Sequence, residues 1–394
     1  MTEKTLAMTG NARRLGIEQL EDRLLLAGNV ALGLSGDILA PSLDVSLTGD
    51  AASNSVAIST TGSGATAELT IAAVGGTQLT PGAINISPAI LQGLIVDHDF
   101  DGVSASFITL NSVAVDALND LQVSLGDGND IVNVSNVSLD DNLSIITGGG
   151  NDNVLLSNVY VDDSITIATA GGNDTVNIRD TTSDDGDWSI STGLGDDTVN
   201  VAGSLSDDGI TILAGAGNNQ VTISNSTVAV GLDISAGSGS DEVLLEDNQF
   251  LGVINAFLGG GEDQFVATGN EGLEGYFDAG AGDDTMMFAN NDFVGLVDSD
   301  IDMILGSGND ELVTSGNTFG NGLDILVVDM GAGNDYYVSG GNIFETPGFG
   351  SFDVDANGGA GYDLLVALDS QPRDQFDAPP NLAGWELIDP DFPA

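Results

Sequence analysis

The chain has 394 residues and is 41% hydrophobic, enough to build a core and too apolar for a disordered polyanion. It holds 60 acidic residues against 6 basic ones, a net charge of −54, and no Cys. This excludes a phosphate-binding surface for nucleic acid, a disulfide framework and a thiolate metal site.

No apolar run approaches the roughly 18 residues of a transmembrane helix, so none is expected. A body this acidic is expected to attract divalent cations and cationic partners. Four of the six bases, Lys4, Arg13, Arg14 and Arg23, lie at the N-terminus, beside Glu3, Glu18, Glu21 and Asp22. Beyond them only Arg179 and Arg373 are basic.

Residues 13–27 read RRLGIEQLEDRLLLA. Leu15, Leu20 and Leu24 would share one side of an amphipathic helix. The pattern Glu18, Leu20-Glu21, Arg23 and Leu24-Leu25 resembles the LEPR-XLL motif at the N-terminus of many exported planctomycete proteins, with Asp22 where that motif has Pro. The resemblance spans this segment only. It implies that residues 1–27 direct export, to an extracellular or cell-surface location.

Residues 28–119 are expected to form irregular N-terminal β rungs and a cap. Asp44 to Thr60 (DVSLTGDAASNSVAIST) reads as a degenerate rung. His98 lies here in DHDFD, between Asp97 and Asp99, and reads as a loop residue in preference to a metal ligand beside those two aspartates.

From residue 120 to 368 the chain repeats. Gly-rich turns end at Asp130, Asp152, Asp174, Asp197, Asn219, Asp241, Asp263, Asp284, Asp310, Asp335 and Asp363. Around each turn the apolar residues fall two apart, as in Leu121, Val123, Leu125 before the first and Val132, Val134 after it. Period two means strand, and a fixed repeat of 20 to 50 residues means stacked units. The expectation is an all-β, right-handed parallel β-helix of about eleven regular rungs, each burying its apolar face on the next about 4.8 Å away. Residues 369–394 hold five of the nine prolines and are expected to cap the other end.

Six or seven residues past the turns stands Asn136, Asn158, Asp180, Asn225, Asp247, Asn270, Asn291, Asn317 or Asn342, with Gly203 breaking the column once. Asn tolerates the left-handed conformation of a bend and can hydrogen-bond along a stack. The column resembles the Asn ladders of pectate-lyase-like β-helices.

The turn sequence Gly-x-Gly-x-Asp-x-hydrophobic, clearest at Gly331, Gly333, Asp335 and Tyr337, resembles the core of the RTX nonapeptide. That family's repeats run in tandem, whereas here one appears per rung. The resemblance implies Ca2+ on the turn carboxylates Asp130, Asp152, Asp174, Asp197, Asp241, Asp263, Asp284, Asp310, Asp335 and Asp363. Stacked in water they would repel by roughly 0.9 kcal/mol per adjacent pair, which a divalent cation would relieve. The competing reading is turn chemistry alone, with Gly supplying positive φ and Asp or Asn closing the turn.

No catalytic grouping can be named. Asp184, Asp185 and Asp187 read as a solvated bend, and Trp188 as core by alternation. The mixed outward residues Gln122, Ser144, Thr166, Ser189, Thr211, Asp233 and Asn255 disfavour an ice-binding array. The sequence therefore points to an exported, non-catalytic β-helix with a structural, adhesive or surface role, meeting divalent cations and cell-surface or matrix polysaccharide or protein. The alternative is a polysaccharide-active enzyme or carbohydrate-binding β-helix, a reading by fold analogy.

Overall fold

The computed structural model describes residues 29–35, 43–61, 68–73, 77–85, 107–111, 118–272, 274–294, 299–320, 323–344, 353–368 and 385–388. The N-terminal segment, His98 with its neighbours, Arg373 and most of the proline-rich tail lie outside these residues. All regular structure among the described residues is β-strand, in 38 strands.

One coil shows how the sequence sets the architecture. Leu143–Ile146 runs into the turn ending at Asp152, and Asn153–Ser157 follows. After a bend comes the short strand Tyr160–Val161, and then Ile165–Ala168 opens the next coil. Leu143 pairs in parallel with Ile165, Val154 with Val176 and Tyr160 with Thr182, so every strand lies on its equivalent one coil later. Stacking generates three sheets. Sheet I, before the turns, has 14 strands, and sheet II, after them, has 15. The third sheet comes as stretches of 6 and 3 strands, linked through bridges at Glu271. The chain is thus a parallel β-helix, and sheet II carries a strand after each of the eleven turns, from Ile131–Ser135 to Asp363–Leu368.

Alternation decides what lies inside. Val154 and Leu156, and Ile165 and Ile167, are fully buried, while Leu155 and Thr166 between them face out. Each such side chain contributes about 1.5–3 kcal/mol, but only once the next coil covers it. Core volume is balanced between sheets. Trp188 is fully buried as expected, and its indole N–H donates to Ser183 Oγ at 2.6 Å. The third sheet makes room with Ser183 and Ser206 where neighbouring coils place Leu139, Val161 and Val228. Toward the C-terminus the core turns aromatic, with Phe293 stacked on Phe319 at 4.6 Å.

The degenerate rung is a true coil. Leu43–Gly49 lies parallel to Leu118–Ser124, and Ser55–Thr61 to Ile131–Ser135. Asp50 to Asn54 replaces the glycine turn, and Asn54 stands at the anchor position, its N–H donating to Asp130 Oδ1. Beyond this coil the pairing changes direction. Asn29–Ser35 runs antiparallel to Leu43–Gly49, and Glu68–Ala73 antiparallel to Ser55–Thr61. At the other end Trp385–Ile388 adds one more parallel strand to sheet II.

The expected single Asn column is corrected to two adjacent ones. Six residues past the anchor, Asn136, Asn158, Asp180, Asn225, Asp247 and Asn290 have φ between 49 and 56°. Gly203, Gly269, Gly316 and Gly341 share that place with φ between 60 and 68°, so Gly203 continues the column. This is the left-handed bend. One residue later lies a buried ladder: Asn248, Asn270, Asn291, Asn317 and Asn342. The Asn270 N–H donates to Asn291 Oδ1 at 3.0 Å, and the Asn291 N–H to Asn317 Oδ1 at 2.9 Å. Each amide also donates to a backbone carbonyl, as Asn291 does to Ala267.

Three late coils are longer, and the extra residues enter at one corner. From anchor to buried Asn the count is the same in long and ordinary coils, as in Asp263 to Asn270 and Asp310 to Asn317. All the added length falls between the third-sheet strand and the next sheet I strand, as between Asp292–Val294 and Ser299–Ile304.

Candidate functional site

The stacked turns form the one site the sequence singled out. Gly172, the second glycine of its turn, has φ +128°. A Cβ there would lie 1.8 Å from the Gly150 carbonyl oxygen of the preceding coil. Glycine is therefore required twice over, by the left-handed backbone and by the carbonyl stacked against it.

The anchor side chains point inward. Asp130, Asp152, Asp174, Asp197, Asn219, Asp241, Asp263, Asp284, Asp310, Asp335 and Asp363 are each at most 3% exposed. The expectation of solvated carboxylates repelling through water is thus corrected. Alternation carries the reason: Asp130, Val132 and Val134 share one parity, so the anchor belongs to the inward row of sheet II.

One carboxylate oxygen has a structural task. The Asp130 N–H donates to Asp152 Oδ1 at 2.8 Å, and the pattern continues coil by coil to Asp335 and Asp363 Oδ1 at 3.2 Å. Asn219 joins the ladder in both directions, accepting from the Asp197 N–H and donating its own N–H to Asp241 Oδ1. The other oxygen has none. In all ten aspartates Oδ2 is buried without a hydrogen-bond partner.

Asn219 reveals what that second atom faces. Its Nδ2 donates to the Ala236 carbonyl at 3.1 Å and to the Gly217 carbonyl at 3.3 Å. The pocket is lined with acceptors. An amide fits it, whereas a bare carboxylate meets other oxygens there. A proton on Oδ2 or a bound cation would resolve the conflict.

Burial pushes nine of these carboxyls up accordingly. Asp130 and Asp310 are raised to about 7, and Asp174 and Asp263 to about 6, chiefly by desolvation. Asp152, Asp197, Asp241, Asp284 and Asp335 are raised for the same cause. Backbone N–H donors oppose the rise. So do the hydroxyls of Thr147, Thr169 and Thr192 near Asp152, Asp174 and Asp197, though none makes a full hydrogen bond to Oδ2.

The donor type suits a hard cation, which takes about six to eight oxygens. Among the described residues no three His, Cys, Asp or Glu side chains are placed to share one ion. Backbone carbonyls such as those around Asn219 would have to complete any shell.

A second ladder runs along the outside and was not foreseen. The residue before each anchor is exposed, and the Asn151 N–H donates to Asn129 Oδ1 at 2.8 Å. Asn173, Asp196, Asn218, Asn309 and Asn334 extend the pattern. Its signal in the sequence is the Asn-Asp pair that recurs at the end of the turns, as at Asn129-Asp130, Asn151-Asp152 and Asn173-Asp174.

The remaining candidates do not converge on this site. Asp184, Asp185 and Asp187 lie on an exposed bend, as expected, and Asp184 accepts the Tyr160 hydroxyl at 2.8 Å. Arg179 is exposed at the end of its sheet II strand. Trp188, buried, offers no ring to a sugar. Comparison of the chain with protein-family models, curated proteins and solved structures gave no match.

Proposed function

We propose that this chain is an exported, acidic, non-catalytic β-helix with a structural, adhesive or cell-surface role, whose stacked turns take calcium. The observation that supports calcium is the column of ten buried carboxylates, each with one oxygen left without a hydrogen-bond partner, in a column where the Asn219 amide meets two backbone carbonyls. The N-terminal motif supports export, and the continuous stack of coils suits a stiff spacer or platform. Calcium entering beside Oδ2 would replace repulsion between oxygens with coordination and brace neighbouring coils together.

A thermal melt of the full chain in EGTA against millimolar calcium tests this reading. A higher midpoint with calcium, absent with magnesium, is the expected result. Identical midpoints in EGTA and calcium would remove calcium from the proposal.

A further inference from the structure

We propose that the outer face of sheet II is a pairing surface, and that its partner is a second copy of this chain laid parallel and face to face. The inference starts from where the charge is not. The acids crowd the corners, as in the pairs Asp140–Asp141, Asp162–Asp163 and Asp184–Asp185. Sheet I also carries Asp233, Asp278 and Asp302 on its strands.

The outer face of sheet II differs. Its central outward column runs in register through Leu244, Val266, Met287, Val313, Val338 and Val366. All six are partly exposed, on six consecutive coils. Their outward neighbours on the same strands include only Glu242, Glu246 and Glu311 as charged groups. On a chain of net charge −54, this is an aliphatic stripe on a nearly neutral, flat strip. On the earlier coils the same column is uncharged and mostly polar, as at Asn177, Asn200 and Thr222.

Area and symmetry favour a second copy. Eleven coils at about 4.8 Å span roughly 48 Å, and five-residue strands are about 16 Å wide, giving roughly 770 Å². A standard interface buries about 800 Å² per partner. A two-fold axis parallel to the solenoid sets each coil against its own copy, so apolar half meets apolar half and polar half meets polar half. Repulsion between two polyanions opposes this pairing and is screened by salt. The dimer is therefore favoured by high ionic strength. The pairing needs no calcium and stands apart from the turn sites.

Sedimentation velocity of the full chain in EGTA tests it, at about 0.01 M and about 1 M salt, where the Debye length is roughly 30 Å and 3 Å. Self-association about tenfold tighter or more at high salt is expected. Val266→Lys and Val313→Lys should each abolish it, although each lowers the net negative charge; circular dichroism verifies that both variants keep the β fold. Thr211→Lys, on the outer face of sheet I, should leave it intact. A single-chain mass at both salts would overturn the proposal. So would Lys variants that pair as well as the parent, or a Thr211→Lys variant that fails equally.

Discussion

Asp310→Asn places at one more coil the residue the column already holds at position 219. The Asn Oδ1 keeps the ladder bond from the Asp284 N–H, which the parent makes at 2.8 Å. Its Nδ2 meets the carbonyls of Gly308 and Met330, the register equivalents of those that Asn219 Nδ2 reaches. The Asp310 carboxyl is raised from 3.8 to about 7, so holding it ionised costs about 4 kcal/mol at higher pH. The amide avoids that cost and adds a hydrogen bond worth about 1 kcal/mol. Relaxation of a buried site reduces the sum, so the expected gain is about 1–4 kcal/mol in EGTA near pH 8. The sign follows from the folded pKa lying above the unfolded one. The parent's carboxyl contributes its full stability below about 3.8 and loses it as pH rises through about 7, so the advantage of Asn should vanish in acid. Calorimetry of both chains at the two pH values provides the measurement. A lower midpoint for the variant near pH 8 in EGTA would refute the acceptor-lined pocket. With calcium, the ranking should narrow or invert, because the variant lacks a ligand oxygen.

The parent chain in EGTA should melt higher near pH 4.5 than near pH 8, since the raised column carboxyls bind protons in the fold that the unfolded chain binds less tightly; a flat profile by circular dichroism would contradict this. Gly172→Ala should cost about 3 kcal/mol or more, because its Cβ meets the Gly150 carbonyl, and a melt within a degree of the parent would count against the stacking geometry. Asn291→Leu strips the Asn270 N–H and amide of their acceptor and the Ala267 carbonyl of its donor, an expected loss of about 3 kcal/mol by urea unfolding. Trp188→Phe leaves Ser183 Oγ without its donor and a gap beside it, an expected loss of about 1–3 kcal/mol on the same measurement.

The coil register was legible because the glycine turn recurs in each of the eleven regular coils and the strand rows beside it alternate. Both signals are local, so Asp44 to Thr60 could be recognised without its glycines. Less legible was the direction of the anchor carboxylate. The charge of Asp130 suggested solvent, although its parity with Val132 and Val134 already set it inside. The two Asn columns merged because composition does not separate a bend residue from its buried successor. Asn290 and Asn291 sit side by side, and only their φ values and hydrogen bonds assign one to the left-handed bend and the other to the ladder. The pairing of the irregular strands before residue 118 was not readable, because no repeated turn marks which strand meets which. The antiparallel pairing of Asn29–Ser35 with Leu43–Gly49 depends on closing the end of the stack.

The unequal coils carry a consequence for how such a chain can change. Four residues more or one residue fewer at a single corner leave the glycine turns, both carboxamide rows and the aromatic interior in step. Length has been decoupled from registration there and nowhere else along the regular coils. A peptide grafted between Val294 and Ser299 would project sideways from the shaft without disturbing the coils before or after it, which makes this edge the natural place for the molecule to acquire, or be given, new recognition elements.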